Sequence, residues 1–225
     1  MIDLHTWDTS NGRKIAILLE ETAQPHRVIP VDLSKGQQHD ARFRALNPYA
    51  KIPAIVDHEP LHDDSGQPLT LFESGAIMLY LCEKTGQLLP AQPRARFECL
   101  PWLMFGLASA GPVLAELHHY NRHAKALSPY GVTRGASEAD KVYKVLDERL
   151  GTSEYLCGDA YSVADIAVYP WIARHDWQEI DLRRYPNVLR WYETISARAA
   201  VQRGMNAARI AECPVHWHLL THLEE

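Results

Sequence analysis

Short alternating runs and helical spacings take turns along the N-terminal third of the chain. Ile2, Leu4 and Thr6 alternate with Asp3 and His5, the period of a strand with one covered face. Past a polar turn, Ile15, Leu18, Leu19 and Thr22 recur at helical spacing as one apolar stripe, and Pro25 closes the helix. A second β-like run, Arg27 to Val31, follows, so strand, helix and strand form a βαβ unit with a parallel pair. The order then changes. Ala54-Ile55-Val56 and Leu69-Thr70-Leu71-Phe72 are short strands separated by a polar loop with the turn sequence Asp63-Asp64-Ser65-Gly66, as in a hairpin. Ser74 begins a helix that runs through Tyr80 and Leu81 to Thr85-Gly86, and an irregular helix is expected around Arg42–Leu46.

At Gly86-Gln87-Leu88-Leu89-Pro90-Ala91-Gln92-Pro93 two prolines interrupt the pattern, and no strand period resumes. Helical spacing takes over from Arg94 to about His123 with a bend at Gly111-Pro112, then over Val132–Leu150, Val163–Ala173 and Pro186–Ala197. The expected division is residues 1–85, a linker at 86–93, and residues 94–225. The order βαβ then ββα matches the thioredoxin-like fold. The fold class expected is therefore an α/β thioredoxin-like N-terminal domain followed by an all-α C-terminal domain.

The 225 residues are 46% apolar and 23% charged, ordinary globular usage with room for a sizeable core. With 28 acidic against 23 basic residues the net charge is −5, and no basic cluster stands apart from acids, so nucleic acid is not an expected partner. Cys82, Cys99, Cys157 and Cys213 are scattered without a Cys-x-x-Cys pair, and the reading preferred for them is reduced thiols. Neither a signal-peptide pattern nor a span of membrane length is apparent, so a cytoplasmic protein with no membrane partner is expected.

Two motifs carry binding chemistry. Lys51-Ile52-Pro53-Ala54 places a proline at the mouth of a strand. It reads either as a plain strand start or as a cis Ile52-Pro53 bond that leaves the Ile52 N–H and C=O facing outward for an extended peptide. Glu73-Ser74 follows a strand and opens a helix. The hydroxyl and N–H groups there suit a carboxylate and Glu73 suits an ammonium, although a plain N-cap explains Ser74 alone. Together, a backbone edge one hairpin away from a zwitterion clamp fits a γ-glutamyl tripeptide.

Asn47-Pro48-Tyr49-Ala50-Lys51-Ile52-Pro53, Leu71-Phe72-Glu73-Ser74-Gly75-Ala76-Ile77 and Tyr161-Ser162-Val163-Ala164-Asp165-Ile166-Ala167 resemble the cytosolic glutathione transferases across nearly the whole chain. The third motif is a folding element, with Ser162 and Asp165 capping each other's N–H, worth on the order of 1 kcal/mol each. The turn Trp7-Asp8-Thr9-Ser10-Asn11-Gly12-Arg13-Lys14 holds neither Cys nor Tyr but offers Thr9, Ser10 and Asn11 as donors to a thiolate. One of them also caps the first helix.

Its spelling, with Val31-Asp32-Leu33-x-Lys35-Gly36-x-Gln38, is closest to the bacterial Nu-class transferases, which resemble disulfide-bond reductases. That resemblance implies Thr9 and Asn11 at the thiol, with Ser10 as a competing hydroxyl where a proline is common in the subgroup. It also implies Gln38 and Lys51 at the glycyl end, Ile52-Pro53 at the cysteinyl backbone, Glu73 with Ser74 at the γ-glutamyl end, and Arg134 reaching in from the second subunit of a homodimer.

His118-His119 and His216-x-His218 lack an acidic or cysteine partner at ligand spacing and are read as surface or groove residues, so no metal is expected. Trp102 and Phe105 are candidates for an apolar second-substrate pocket. The expected function is glutathione-dependent reduction of a small disulfide, glutathione being a co-substrate. The alternatives are conjugation of glutathione to an electrophile, or a non-catalytic binding protein.

Overall fold

The computed structural model of the protein describes residues 1–61 and 66–207. Within the loop between the last two strands only Gly66 of the expected turn is described, with φ 70°; Asp63, Asp64 and Ser65 lie outside the described residues. Cys213, His216 and His218 lie outside them too. The chain divides into two compact units, residues 1–87 together with the segment from Ala199, and residues 88–198.

The first unit is a four-stranded sheet flanked by helices. Its elements are β1 (Ile2–Thr6), α1 (Ser10–Glu21), β2 (His26–Pro30), α2 (Ala41–Leu46), β3 (Ala54–Asp57), β4 (Leu69–Phe72) and α3 (Ser74–Thr85). The strand order is β2-β1-β3-β4. β1 runs parallel to β2 with Thr6 opposite Pro30, and antiparallel to β3 with His5 opposite Ala54. β4 is antiparallel to β3, with Phe72 opposite Ala54. This is the βαβ-ββα order expected of a thioredoxin-like domain.

The single apolar stripe expected on α1 understates its burial, because Ile15, Ala16, Ile17, Leu18 and Leu19 are all fully buried. The reason is a last helix, α9 (Ala199–Ala207), which packs on α1 in this unit rather than joining the helical domain expected over 94–225. Gly204 makes that approach possible, since a Cβ there would lie 2.6 Å from the Ile17 backbone nitrogen. Arg203 Nε closes the contact on Glu20 Oε2 at 2.6 Å.

The second unit is helical: α4 (Pro93–Met104), α5 (Gly111–Arg122), α6 (Pro129–Leu150), α7 (Val163–Ile172) and α8 (Pro186–Ser196). A π-helical turn over Phe105–Ala110 joins α4 to α5, so the irregularity falls just before the bend expected at Gly111-Pro112. Pro112 has no N–H for the carbonyl one turn back, and the wider turn accommodates the loss. Pro93–Arg122 thereby forms a 30-residue apolar helical run long enough to cross a membrane, contrary to the sequence reading. Its Cys99, Leu103, Ala110, Leu114 and Leu117 are instead buried in the core of this unit.

The α7 capping box is present and does more than cap. The fully buried Asp165 carboxylate accepts from Ser162 N at 2.9 Å, Ser162 Oγ at 2.8 Å, Leu156 N at 3.0 Å and Trp191 Nε1 at 2.9 Å. It thus ties the loop before α7 to α8, and the cost of its loss exceeds that of a helix cap.

Two expectations are corrected in this unit. Cys99 and Cys157 form a disulfide, Cα to Cα 4.8 Å across 58 residues of sequence. Packing of α4 against the loop before α7 brings them together, which spacing along the chain does not reveal. His118 is buried rather than lying in a groove. Gln178 Nε2 donates to its Nε2 at 2.9 Å and to the Trp171 carbonyl at 2.8 Å, while Gln178 Oε1 accepts from Tyr143 at 2.5 Å.

Burial, with Arg174 and Arg122 adding to it and Asp176 opposing, pushes the His118 imidazolium from 6.5 down to about 4. A histidine whose folded-state value is depressed contributes stability that is full above its unfolded value and is lost as pH falls. Thermal or urea unfolding should therefore show a loss on the order of 2–3 kcal/mol between about pH 6.5 and pH 4 that His118→Gln removes. Parallel acid limbs in the two proteins would contradict this role.

Candidate active site

The register of the sheet decides which loops meet. His5 and Phe72 both stand opposite Ala54, and Thr6 stands opposite Pro30, so four chain segments leave the sheet at one end. They are the β1–α1 turn with Thr9, Ser10 and Asn11, the segment after β2 with Gln38, the approach to β3 through Lys51, Ile52 and Pro53, and the β4–α3 junction at Glu73-Ser74. Neighbouring strands are about 4.8 Å apart, so the path from β4 across β3 to β1 is about the length of an extended tripeptide. Nine of the ten expected site residues lie along this end. The tenth, Arg134, is exposed on α6 and belongs to the second unit.

Thr9 is the N-cap of α1, its Oγ1 accepting the Gly12 N–H at 3.1 Å. The cap uses the hydroxyl as an acceptor and leaves its proton for an outward acceptor. The turn is close to β1, since a Cβ on Gly12 would lie 2.2 Å from Thr6 Oγ1 and 2.5 Å from the Trp7 carbonyl. Ser10, the first residue of α1, is only 3% exposed, whereas Thr9 and Asn11 are half-buried. Asn11 Oδ1 accepts from the buried Lys14 Nζ at 2.9 Å. Its Nδ2 has no partner among the described residues and remains open to solvent.

The Ile52-Pro53 bond is cis. Among the described residues neither the N–H nor the C=O of Ile52 is engaged. The loop that delivers it is fixed by Asn47, whose Oδ1 accepts from Tyr49 N at 2.9 Å and whose Nδ2 donates to Lys51 O at 2.6 Å. Asn47 is not among the expected site residues, although an Asn two residues before its bonded N–H is an Asx-turn signal. Lys51 is exposed, its Nζ 4.2 Å from the centre of the Tyr49 ring.

At the β4–α3 junction the N-cap is Glu73 rather than Ser74. Glu73 has φ 67°, a left-handed conformation that is costly for a residue with a side chain, and its carboxylate makes no cap bond. The first turn of α3, with Ser74 half-buried in it, therefore starts without a side-chain acceptor.

Asp32 organises the segment after β2. Its Oδ1 accepts from Ser34 N at 3.0 Å and Ser34 Oγ at 2.6 Å, while its own N–H donates to Gln37 Oε1 at 2.8 Å. The neighbouring Gln38 Oε1 is buried with no partner among the described residues, an acceptor in want of a donor. No group of three or more potential metal-ligating side chains occurs among the described residues. In the helical unit Trp102 and Phe105 pack edge to face at 5.8 Å.

A model of the glutathione S-transferase N-terminal domain matches residues 10–84, and one of the C-terminal domain matches residues 132–199. The chain is 45% identical to the disulfide-bond oxidoreductase YfcG of Escherichia coli, over 94% of this chain and 98% of that protein. Among solved structures, a Burkholderia graminis glutathione transferase with two glutathione molecules per subunit is 36% identical, with a TM-score of 0.85 and coverage of 93% of this chain and 89% of that one. A Pseudomonas putida glutathione transferase with one glutathione disulfide per subunit is 33% identical, with a TM-score of 0.83 and coverage of 91% and 90%.

The N-cap geometry makes one stability difference measurable. Thr9→Ala removes the acceptor for Gly12 N and should cost about 1 kcal/mol in urea unfolding, while Thr9→Ser, which keeps the acceptor, should be near neutral. Equal stability of all three proteins would place the cap elsewhere.

Proposed function

The chain belongs to the glutathione transferase family, and from that premise we propose that it is a glutathione-dependent disulfide reductase. The observation that carries the reading is the β1–α1 turn, which presents the Thr9 hydroxyl and Asn11 Nδ2 as donors and contains no cysteine. The sulfur that reacts there is then the ligand's own. A thiol of the cysteine type ionises near 8.5, and two donors at the positive end of α1 favour its anion at neutral pH.

The tripeptide lies across the sheet end. Glu73 takes the γ-glutamyl ammonium and the uncapped first turn of α3, with Ser74, takes its carboxylate. The N–H and C=O of Ile52 pair with the cysteinyl backbone as a short β-like contact, with Pro53 fixing the strand start. Gln38 Oε1 accepts the glycyl N–H, and Lys51 faces the terminal carboxylate. Ser10 is the lesser thiol partner because it is buried. Arg134 acts from the partner subunit of a homodimer in the cytoplasm.

In the reaction, glutathione thiolate attacks one sulfur of a small disulfide, forming a mixed disulfide and expelling the other sulfur as a thiolate that takes up a proton. A second glutathione thiolate attacks the glutathione sulfur of the mixed species, yielding glutathione disulfide and releasing the second thiol. The name of YfcG and the glutathione disulfide bound to the P. putida neighbour favour this over conjugation, which uses the same thiolate on an electrophile. Rates on a dialkyl disulfide and on an aryl halide separate the two readings.

The protein with Cys82, Cys99, Cys157 and Cys213 all replaced by alanine, verified as folded, should still reduce a small disulfide with glutathione at a rate within an order of magnitude of the parent. A folded variant without turnover would show that a protein thiol is required.

A further inference from the structure

Lys14 is 1% exposed and lies in the N-terminal half of α1, a helix with no acidic residue in its first turn. A cation there is opposed both by loss of hydration and by the positive helix end. Burial pushes its ammonium from 10.5 down to about 7. Its Nζ is 2.9 Å from Asn11 Oδ1. An ammonium only donates, so the oxygen of the carboxamide must face Lys14 and the amino end must face away. That amino end is the group left open to solvent at the turn.

We propose that Lys14 is the positioning residue of the thiol site: its ammonium locks the Asn11 carboxamide with Nδ2 toward the glutathione sulfur and supplies the buried positive charge that favours the thiolate. This rests on the proposed reading of the turn as the thiol site. It adds that Asn11 is a donor only while Lys14 holds it, and that the cation and the thiolate stabilise each other. An anion brought to Nδ2 sits across one planar amide from the cation, and burial on the Lys14 side limits the screening between them. By reciprocity, the amount by which the Lys14 charge lowers the thiol pKa is the amount by which the thiolate raises that of Lys14.

Ultraviolet absorbance of the bound thiolate, followed against pH, reads the effect directly. In the unmodified protein the bound thiol should titrate well below that of glutathione in solution. In Lys14→Met it should titrate about one unit higher than in the parent, with glutathione affinity nearly unchanged and kcat about tenfold lower. In an Asn11→Ala background the same substitution should add little to the loss. Side-chain NMR of the unmodified protein needs no variant to fold: glutathione should raise the Lys14 midpoint, and S-methylglutathione, which has no ionisable thiol, should not.

An unchanged thiol pKa in folded Lys14→Met, or the same Lys14 midpoint with both ligands, overturns the proposal for Lys14 alone. A bound thiol that titrates no lower than in solution, in the unmodified protein, overturns the thiol site itself.

Discussion

Ala54 is paired on both sides, with His5 of β1 and with Phe72 of β4, and the gathering of the candidate site residues at one end of the sheet follows from that double register. Because β3 runs against both neighbours, its start lies beside the end of β1 and the end of β4. Ile52-Pro53, Thr9 and Glu73-Ser74 are thereby lined up across the sheet. A slip of one residue in β3 would reverse its faces, exposing Ile55, and would move Ile52 out of line. The parallel pairing of β1 with β2 adds Gln38 from the remaining side.

A second constraint acts through α1. Helix and sheet meet so closely at Gly12 that no side chain fits there, which brings the positive end of α1 to the end of β1. The other face of the helix is sealed by α9, with Gly204 against the Ile17 backbone. Lys14 on the same helix is 1% exposed, and the charge proposed for it lies one turn from the end of the helix. The same packing that makes α1 a core helix also fixes the position of its first turn, where the thiol site is proposed.

Much of this was legible in the residues. Alternation in Ile2–Thr6 and helical spacing from Ile15 gave the βαβ unit because each element has a distinct period. Glu73-Ser74 was legible as a helix start, though the N-cap falls on Glu73, whose positive φ no propensity suggests. What escaped depends on contacts between distant segments. The disulfide joins Cys99 to Cys157, the buried His118 is defined by Gln178 sixty residues away, and α9 turns back onto α1. Lys14 read as part of a polar turn because a lysine's burial is set by what packs over it, not by its neighbours in the chain.

Everything proposed for the site requires that this end of the sheet bind glutathione with its sulfur at the β1–α1 turn. A crystal structure of the protein with glutathione disulfide tests it most directly. One sulfur should lie within hydrogen-bonding reach of Thr9 Oγ1 and Asn11 Nδ2, with a γ-glutamyl group at Glu73-Ser74 and the Ile52 backbone paired to the cysteinyl residue. A tripeptide bound along this edge with its sulfur pointing away from Thr9 and Asn11, or bound elsewhere on the molecule, would contradict it.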